Sequence, residues 1–290
     1  MSEHGLRVAS AQYPIDYLEH RDEFGAKVSR WVEEAAEAQA GLLVFPEYFS
    51  IEITASLGAD IYSSLPRQLA ALQDTLPGFL ALFRDLARRH AVHICAGSYP
   101  VAVHGCYRNR AHFFWPDGRM GFQDKLQMTR FENELWGVSA GCGLETFTTD
   151  FGTLAINVCY DSEFPLLARR QVELGADVIL VPSCTDALAG FNRVRIGCQA
   201  RALENQCYVV QSPTVGECPW SEAVDRNVGY AAVYTPPDHG LPADGVLAAG
   251  VLNAAQWVYA ELDLTRLAAV REDGQVFNHR DWQGQRRYLD

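Results

Sequence analysis

Apolar residues recur along the chain with two periods, and their alternation predicts a layered α/β protein. The opening run 6–14 (LRVASAQYP) reads as a strand. Residues 22–39 read as a helix: Val28, Trp31, Val32, Ala35 and Ala36 share one face, while Glu33, Glu34 and Glu37 share the other. Lys27 on that helix reads as a surface residue. Residues 41–47 (GLLVFPE) form a continuous apolar run closed by proline, which suits a strand covered on both faces. Pro77–Gly78 interrupts the next region, and a helix is predicted over 79–90 through Phe79, Leu82, Phe83 and Leu86. A third strand follows at 92–100, then a hairpin over 107–122 around a PDG turn.

The second half repeats the alternation. Two strands flank Phe151–Gly152, a helix spans about 163–174, and 176–183 (ADVILVPS) is another buried strand. A helix over 190–206 and a strand over 207–214 come next, then three more strands and a short helix at 264–271. Repeated strand–helix–strand units argue for an α/β layered domain. The segments 40–47 (AGLLVFPE) and 176–183 each follow a helix and end in proline plus a polar residue, so twofold internal symmetry is expected. No linker divides the chain, which predicts one domain over 1–275. The tail 276–290, polar with three aromatics and no periodicity, is expected at an oligomer interface.

Composition narrows the classes. The 290 residues carry a formal net charge of −12 with 48% hydrophobic and 21% charged residues, ordinary for a globular domain. That balance excludes nucleic acid and anionic membranes as partners, since a phosphate backbone requires a basic face. No apolar run is long enough for a membrane span. The N-terminus lacks a basic start followed by an apolar core, so no signal peptide is expected. Eight scattered cysteines with no CxxC predict free thiols in a cytoplasmic setting, and no histidine spacing suggests a metal site.

The stretch 156–164 (INVCYDSEF) places Cys159 where an apolar strand gives way to a turn and helix. A buried hydrophobe is the plain reading of a free cysteine. A helix N-terminus ahead of it would favour a thiolate, with Asp161 and Glu163 as capping acids. A nucleophile also needs a base and an oxyanion donor. No histidine sits at a strand end with an obvious partner. Glu47 does close a buried strand, among Phe45, Tyr48 and Phe49, where desolvation suits a carboxylate for proton transfer. Lys125 lies in an apolar stretch (FQDKLQMTRFENELW) and is suited to holding a negative oxygen. GVSAG at 137–141 matches the serine-hydrolase elbow around Ser139, but lacks the strand before and helix after that the motif requires.

Taken in order, VFPE with Glu47, DKLQMTRFE with Lys125, NVCYDSEFP with Cys159, and RALENQCYVV at 201–210 resemble the nitrilase superfamily of carbon–nitrogen hydrolases, over about residues 6–265. The resemblance implies a four-layer α-β-β-α sandwich, a homodimer or larger homo-oligomer, and no metal or organic cofactor. It implies hydrolysis of a small amide through a cysteine thioester, with Glu47 as base, Lys125 as oxyanion stabiliser and Cys159 as nucleophile. The Tyr160 N–H would be a second oxyanion donor. A supporting glutamate is expected after the lysine, Glu132 in preference to Glu134. Nitrile hydrolysis by the same residues, a serine hydrolase using Ser139, and a non-catalytic binding protein are the alternatives. Tyr48, Phe131, Trp136, Tyr160, Cys184 and Thr185 are candidate pocket residues, with Arg130 a candidate partner for a substrate carboxylate. One departure is Glu163, where many members carry arginine.

Overall fold

The computed structural model describes residues 5–288. Its strands are β1 (Leu6–Pro14), β2 (Leu42–Val44), β3 (His93–Val103), β4 (Cys106–Phe114), β5 (Met120–Asp124), β6 (Thr146–Thr148), β7 (Thr153–Ile156), β8 (Val178–Ser183), β9 (Tyr208–Glu217), β10 (Arg226–Asn227), β11 (Ala232–Tyr234), β12 (Val246–Ala249) and β13 (Gln256–Leu262). Its helices are α1 (Glu23–Glu37), α2 (Ala59–Tyr62), α3 (Leu65–His90), α4 (Arg130–Glu134), α5 (Pro165–Glu173), α6 (Leu188–Asn205), α7 (Leu264–Asp273) and α8 (Asn278–Asp281). No described helix is long and apolar enough to cross a membrane.

The strands form two arms of the same design. One runs β13-β1-β2-β3-β4-β5 and the other β6-β7-β8-β9-β11-β12. In each, successive pairings are antiparallel, parallel, parallel, antiparallel and antiparallel. This is the expected internal twofold, with β1, β2 and β3 matched to β7, β8 and β9. The arms join where the end of β1 pairs with β9, Tyr13 opposite Thr214. The seam is bonded reciprocally: Ser10 Oγ donates to the Gln211 carbonyl and Ser212 Oγ to that of Ala11, both at 2.8 Å.

Alternation along the strands sets the layers. Ala9, Ala11, Leu43, Phe45 and Ile94 face outward onto Val28 and Val32 of α1 and Leu72, Phe83 and Leu86 of α3. Val8, Leu42, Val44 and Cys95 face inward onto the second arm, whose far side packs on Ala168 and Val172 of α5 and Val194 and Cys198 of α6. The order is helix, sheet, sheet, helix, as the four-layer expectation required.

Two expectations fail locally. The break at Pro77 does not occur: α3 runs through it from Leu65 to His90. Proline removes one intrahelical bond, but Leu72, Phe79 and Phe83 anchor the helix on both sides, with Phe79 rings 4.7 Å from both Phe83 and Tyr99. Lys27 is not on the surface; it is 6% exposed. Its ammonium donates to the Pro14 carbonyl at 2.6 Å, pairs with Asp16 at 2.7 Å and contacts Glu52, which also accepts from Tyr13 OH at 2.7 Å. A charge at that depth persists because it is paired.

The described part of the tail folds back on its own chain. Gln206 Nε2 donates to the Val276 carbonyl at 3.1 Å, and the Arg169 guanidinium bonds the His279 carbonyl and covers Trp282. Leu289 and Asp290 lie outside the described residues.

One glycine packs against the segment that follows β2. Gly97 sits at φ +56° where the β3–β4 register shifts. A Cβ there would collide with the Pro46 carbonyl and lie 2.9 Å from the Phe49 ring. Gly97→Ala is expected to destabilise the fold by about 1–3 kcal/mol, seen as a lower urea midpoint at unchanged slope.

Candidate active site

The mouths of both arms supply the site, since β2 ends just before Glu47, β5 just before Lys125, β7 shortly before Cys159 and β8 just before Cys184. Sheets of this kind collect ligand sites beyond their carboxyl ends. Tyr48 (φ +56°) and Cys159 (φ +49°) are both left-handed, a costly state for residues with a Cβ. At Cys159 it begins the one-turn 3-10 segment Cys159–Glu163.

Three charged groups meet below the surface. Glu47 is 2% exposed, and Lys125 and Glu132 are 1%. Lys125 Nζ lies 2.8 Å from Glu47 Oε1 and 2.7 Å from Glu132 Oε2. Asn109 Nδ2 donates to both carboxylates, at 2.8 Å and 3.0 Å. Tyr48 OH donates to Glu132 at 2.8 Å, and Thr129 reaches it through its N–H and hydroxyl at 2.9 Å. Of the two candidate glutamates, Glu132 therefore enters the cluster, while Glu134 points out and pairs with Arg130 at 2.8 Å. The other oxygen of Glu47 accepts from the Cys184 N–H at 3.0 Å. Cys159 Sγ faces the Cys184 carbonyl at 3.8 Å.

The protonation states follow from this arrangement. Burial pushes the Cys159 thiol well up and the Glu47 charge adds to that, while Lys125 opposes both. The helix-terminus thiolate expected from the sequence is therefore not the resting form. Burial also raises Glu47, with Lys125 pulling it down and Glu132 pushing it up. Burial works against the Lys125 charge, but Glu132 and Glu47 outweigh it and hold the ammonium well above its ordinary value. Burial would raise Glu132 too, yet Lys125 and its hydrogen bonds prevail and keep it ionised. The cluster thus pairs a neutral thiol with a carboxylate of raised basicity beside a fixed cation.

These groups form the floor of a cavity of about 690 Å³, sized for a small molecule. Tyr48, Phe131, Trp136, Tyr160, Cys184 and Thr185 all line it, as does Arg130. Glu163 lines it as well and faces Arg193 at 3.6 Å rather than capping a helix. Among the described residues no histidine lines it, and His112 is buried elsewhere, its pKa pushed down to about 3. Ser139 is not a lining residue; it sits in a loop, its N–H bonded to the Tyr107 carbonyl at 2.8 Å, without the elbow its motif needs. Among the described residues no group of three metal-ligating side chains occurs.

Sequence reasoning missed Asn109 and the Cys184 N–H. The one signal for Asn109 was a polar residue at an inward position of the strand RNRAHFF. Backbone donors leave no trace in sequence.

The carbon-nitrogen hydrolase family model matches residues 7–272. The probable hydrolase YhcX of Bacillus subtilis is 35% identical over 276 residues, 95% of this chain but 53% of that protein, so the chain spans about half of this relative's length. The deaminated glutathione amidase of Synechocystis is 28% identical over 263 residues, 86% of this chain and 89% of that one. Nit3 of Saccharomyces cerevisiae, a member of branch 10 of the nitrilase superfamily, superposes with a TM-score of 0.75 at 20% identity, covering 93% and 94% of the two chains. The family match extends from the first strand into α7, taking in both arms and every residue of the buried cluster, and the chain belongs to the carbon-nitrogen hydrolase family.

Proposed function

We propose that the protein hydrolyses a small amide to a carboxylate and ammonia or an amine, with Cys159 as nucleophile, Glu47 as base and Lys125 as oxyanion stabiliser. The observation that carries this is the convergence of a neutral thiol, a buried carboxylate of raised pKa and a fixed ammonium at the floor of one cavity. The amidase relative supports the choice of bond. Glu47 takes the thiol proton as sulfur attacks the carbonyl carbon. Lys125 and the Tyr160 N–H stabilise the negative oxygen. The C–N bond breaks as Glu47 returns the proton to the leaving nitrogen, leaving a thioester. Water, deprotonated by Glu47, then cleaves the C–S bond and releases the acid with the thiol restored.

A panel of short aliphatic amides with the matching nitriles tests the reading. Ammonia release from amides, with a mass gain on the Cys159 peptide during turnover, is expected. Turnover of nitriles alone moves the activity to the other branch, and a protein inert to both while its cysteines alkylate uniformly overturns the enzymatic reading.

The pH profile carries a second expectation. Glu47 must be ionised to act, so kcat/KM falls as pH drops through its pKa. The Glu132 charge raises that pKa, and Glu132 also shares Lys125 with it. Both effects vanish in Glu132→Gln, so the acid limb moves to lower pH. A limb that stays or moves up removes Glu47 as the titrating base.

A further inference from the structure

Asp161 is 1% exposed and takes no direct part in the buried cluster. Its carboxylate lies between the two segments that carry the reacting groups. Oδ1 accepts from the Gln127 N–H at 2.7 Å and the Leu126 N–H at 3.1 Å, just past Lys125. Oδ2 accepts from the Leu126 and Val158 N–H groups, each at 3.2 Å, the latter just before Cys159. The Lys125 backbone itself bonds within its own arm, its N–H to Asn109 at 2.9 Å and its carbonyl accepting from Gly141 at 2.8 Å. Glu47 makes the opposite crossing, from the first arm onto the Cys184 N–H of the second. Two carboxylates thus bind the arms in opposite directions.

We propose that Asp161 is a positioning residue that sets the separation of Lys125 and Cys159 by clasping both segments, an inference that rests on the catalytic reading above. The nucleophile turn has its own supports: Ser162 Oγ donates to the Cys159 carbonyl at 2.6 Å and Arg201 to that of Ser162 at 3.1 Å. The clasp is therefore not what makes the turn fold; it is what registers the turn against Lys125. Only an acceptor on both oxygens serves. An asparagine would keep one acceptor and turn its amide N–H₂ toward one of the donors. Burial pushes the carboxyl up to about 7, opposed by Lys125 and the three N–H donors, so assays belong well above that pH.

The test compares Asp161→Asn with Glu52→Gln, which weakens the buried cluster around Lys27, away from the cavity lining. Asp161→Asn is expected to slow Cys159 alkylation by iodoacetamide about tenfold and to lower kcat about 30- to 100-fold, with KM within about threefold, as a misplacement near 1 Å does. Loss of the negative charge alone would favour the thiolate, so a slower reaction reports geometry. Glu52→Gln lowers Tm but leaves both rates within about twofold. Unchanged rates in Asp161→Asn, or an equal loss in Glu52→Gln at matched Tm, overturn the proposal. Alkylation decides even if the unmodified protein turns over no amide, an outcome that removes the amidase reading alone. Should Asp161→Asn not fold, amide exchange in the unmodified protein decides: Leu126, Gln127 and Val158 must open together, and unequal opening overturns the clasp.

Discussion

If Cys159 is the nucleophile proposed above, Cys159→Ala is expected to lower amide hydrolysis by at least about 10,000-fold, to the rate of a protein with a cavity but no nucleophile. The size of the effect follows from the shape of the proposed mechanism. Glu47 and Lys125 have no acyl acceptor without the sulfur, so their contributions disappear with it rather than adding to a remainder. The fold should not notice. Cys159 is 5% exposed, and its Sγ faces the Cys184 carbonyl at 3.8 Å beside the Glu47 carboxylate. A Tm close to that of the unmodified protein, measured beside the activity, separates loss of chemistry from loss of structure. Cys184 is the internal control: it lines the same cavity, but burial and the Glu47 charge push its thiol far up, and its role lies in a backbone N–H. Cys184→Ala should retain most of the activity. More than a tenth of the activity surviving in Cys159→Ala would remove the thioester route.

The sequence shows the layers because each layer has its own period. It shows the symmetry because the apolar runs holding the buried parallel strands β2 and β8 each close on proline and a polar residue, Pro46–Glu47 and Pro182–Ser183. The three residues proposed to react were legible in part for the same reason: Glu47 and Cys159 follow apolar strands, where a side chain of different chemistry contrasts with the run before it, whereas Lys125 follows the polar pair Gln123–Asp124 and stood out through its family resemblance. Residues that act through the backbone, or on it, were not. Asp161 read as a helix cap because an acid just ahead of a helix is locally sufficient for that role; its true partners at Leu126 and Gln127 belong to the other arm. Lys27 read as surface because its helix face is otherwise amphipathic, and nothing local reveals Glu52 waiting beneath it. Pro77 read as a break because propensity is local, whereas the aromatic packing that carries α3 through it involves Tyr99 on a different element. Long-range pairing decided all three.

Lys125→Met exposes the electrostatic logic most directly. Methionine keeps an unbranched side chain of similar reach, so the substitution removes charge and three N–H donors with little change of volume. Glu47 and Glu132 then share Asn109 with no cation between them, both almost fully buried. Breaking such a group by deleting one partner costs about 3–5 kcal/mol of stability. The activity falls by at least about 100- to 1,000-fold from the oxyanion donor alone. It falls further at neutral pH, because Glu47, already raised by burial and by Glu132, loses the charge that pulled it down and takes up a proton. The sign of the pH dependence follows. A carboxylate whose folded pKa lies above its unfolded value contributes stability that is complete at low pH and lost as pH rises through the folded pKa. Urea midpoints should therefore show Lys125→Met closest to the unmodified protein in mild acid and furthest from it above neutrality. Adding Glu132→Gln removes the repulsion and should recover most of the stability without the activity, since the oxyanion still has no ammonium to meet. A double variant that recovers both would show that Lys125 serves only to neutralise the glutamates, and the stabilisation of the tetrahedral oxygen would have to come from backbone N–H groups alone.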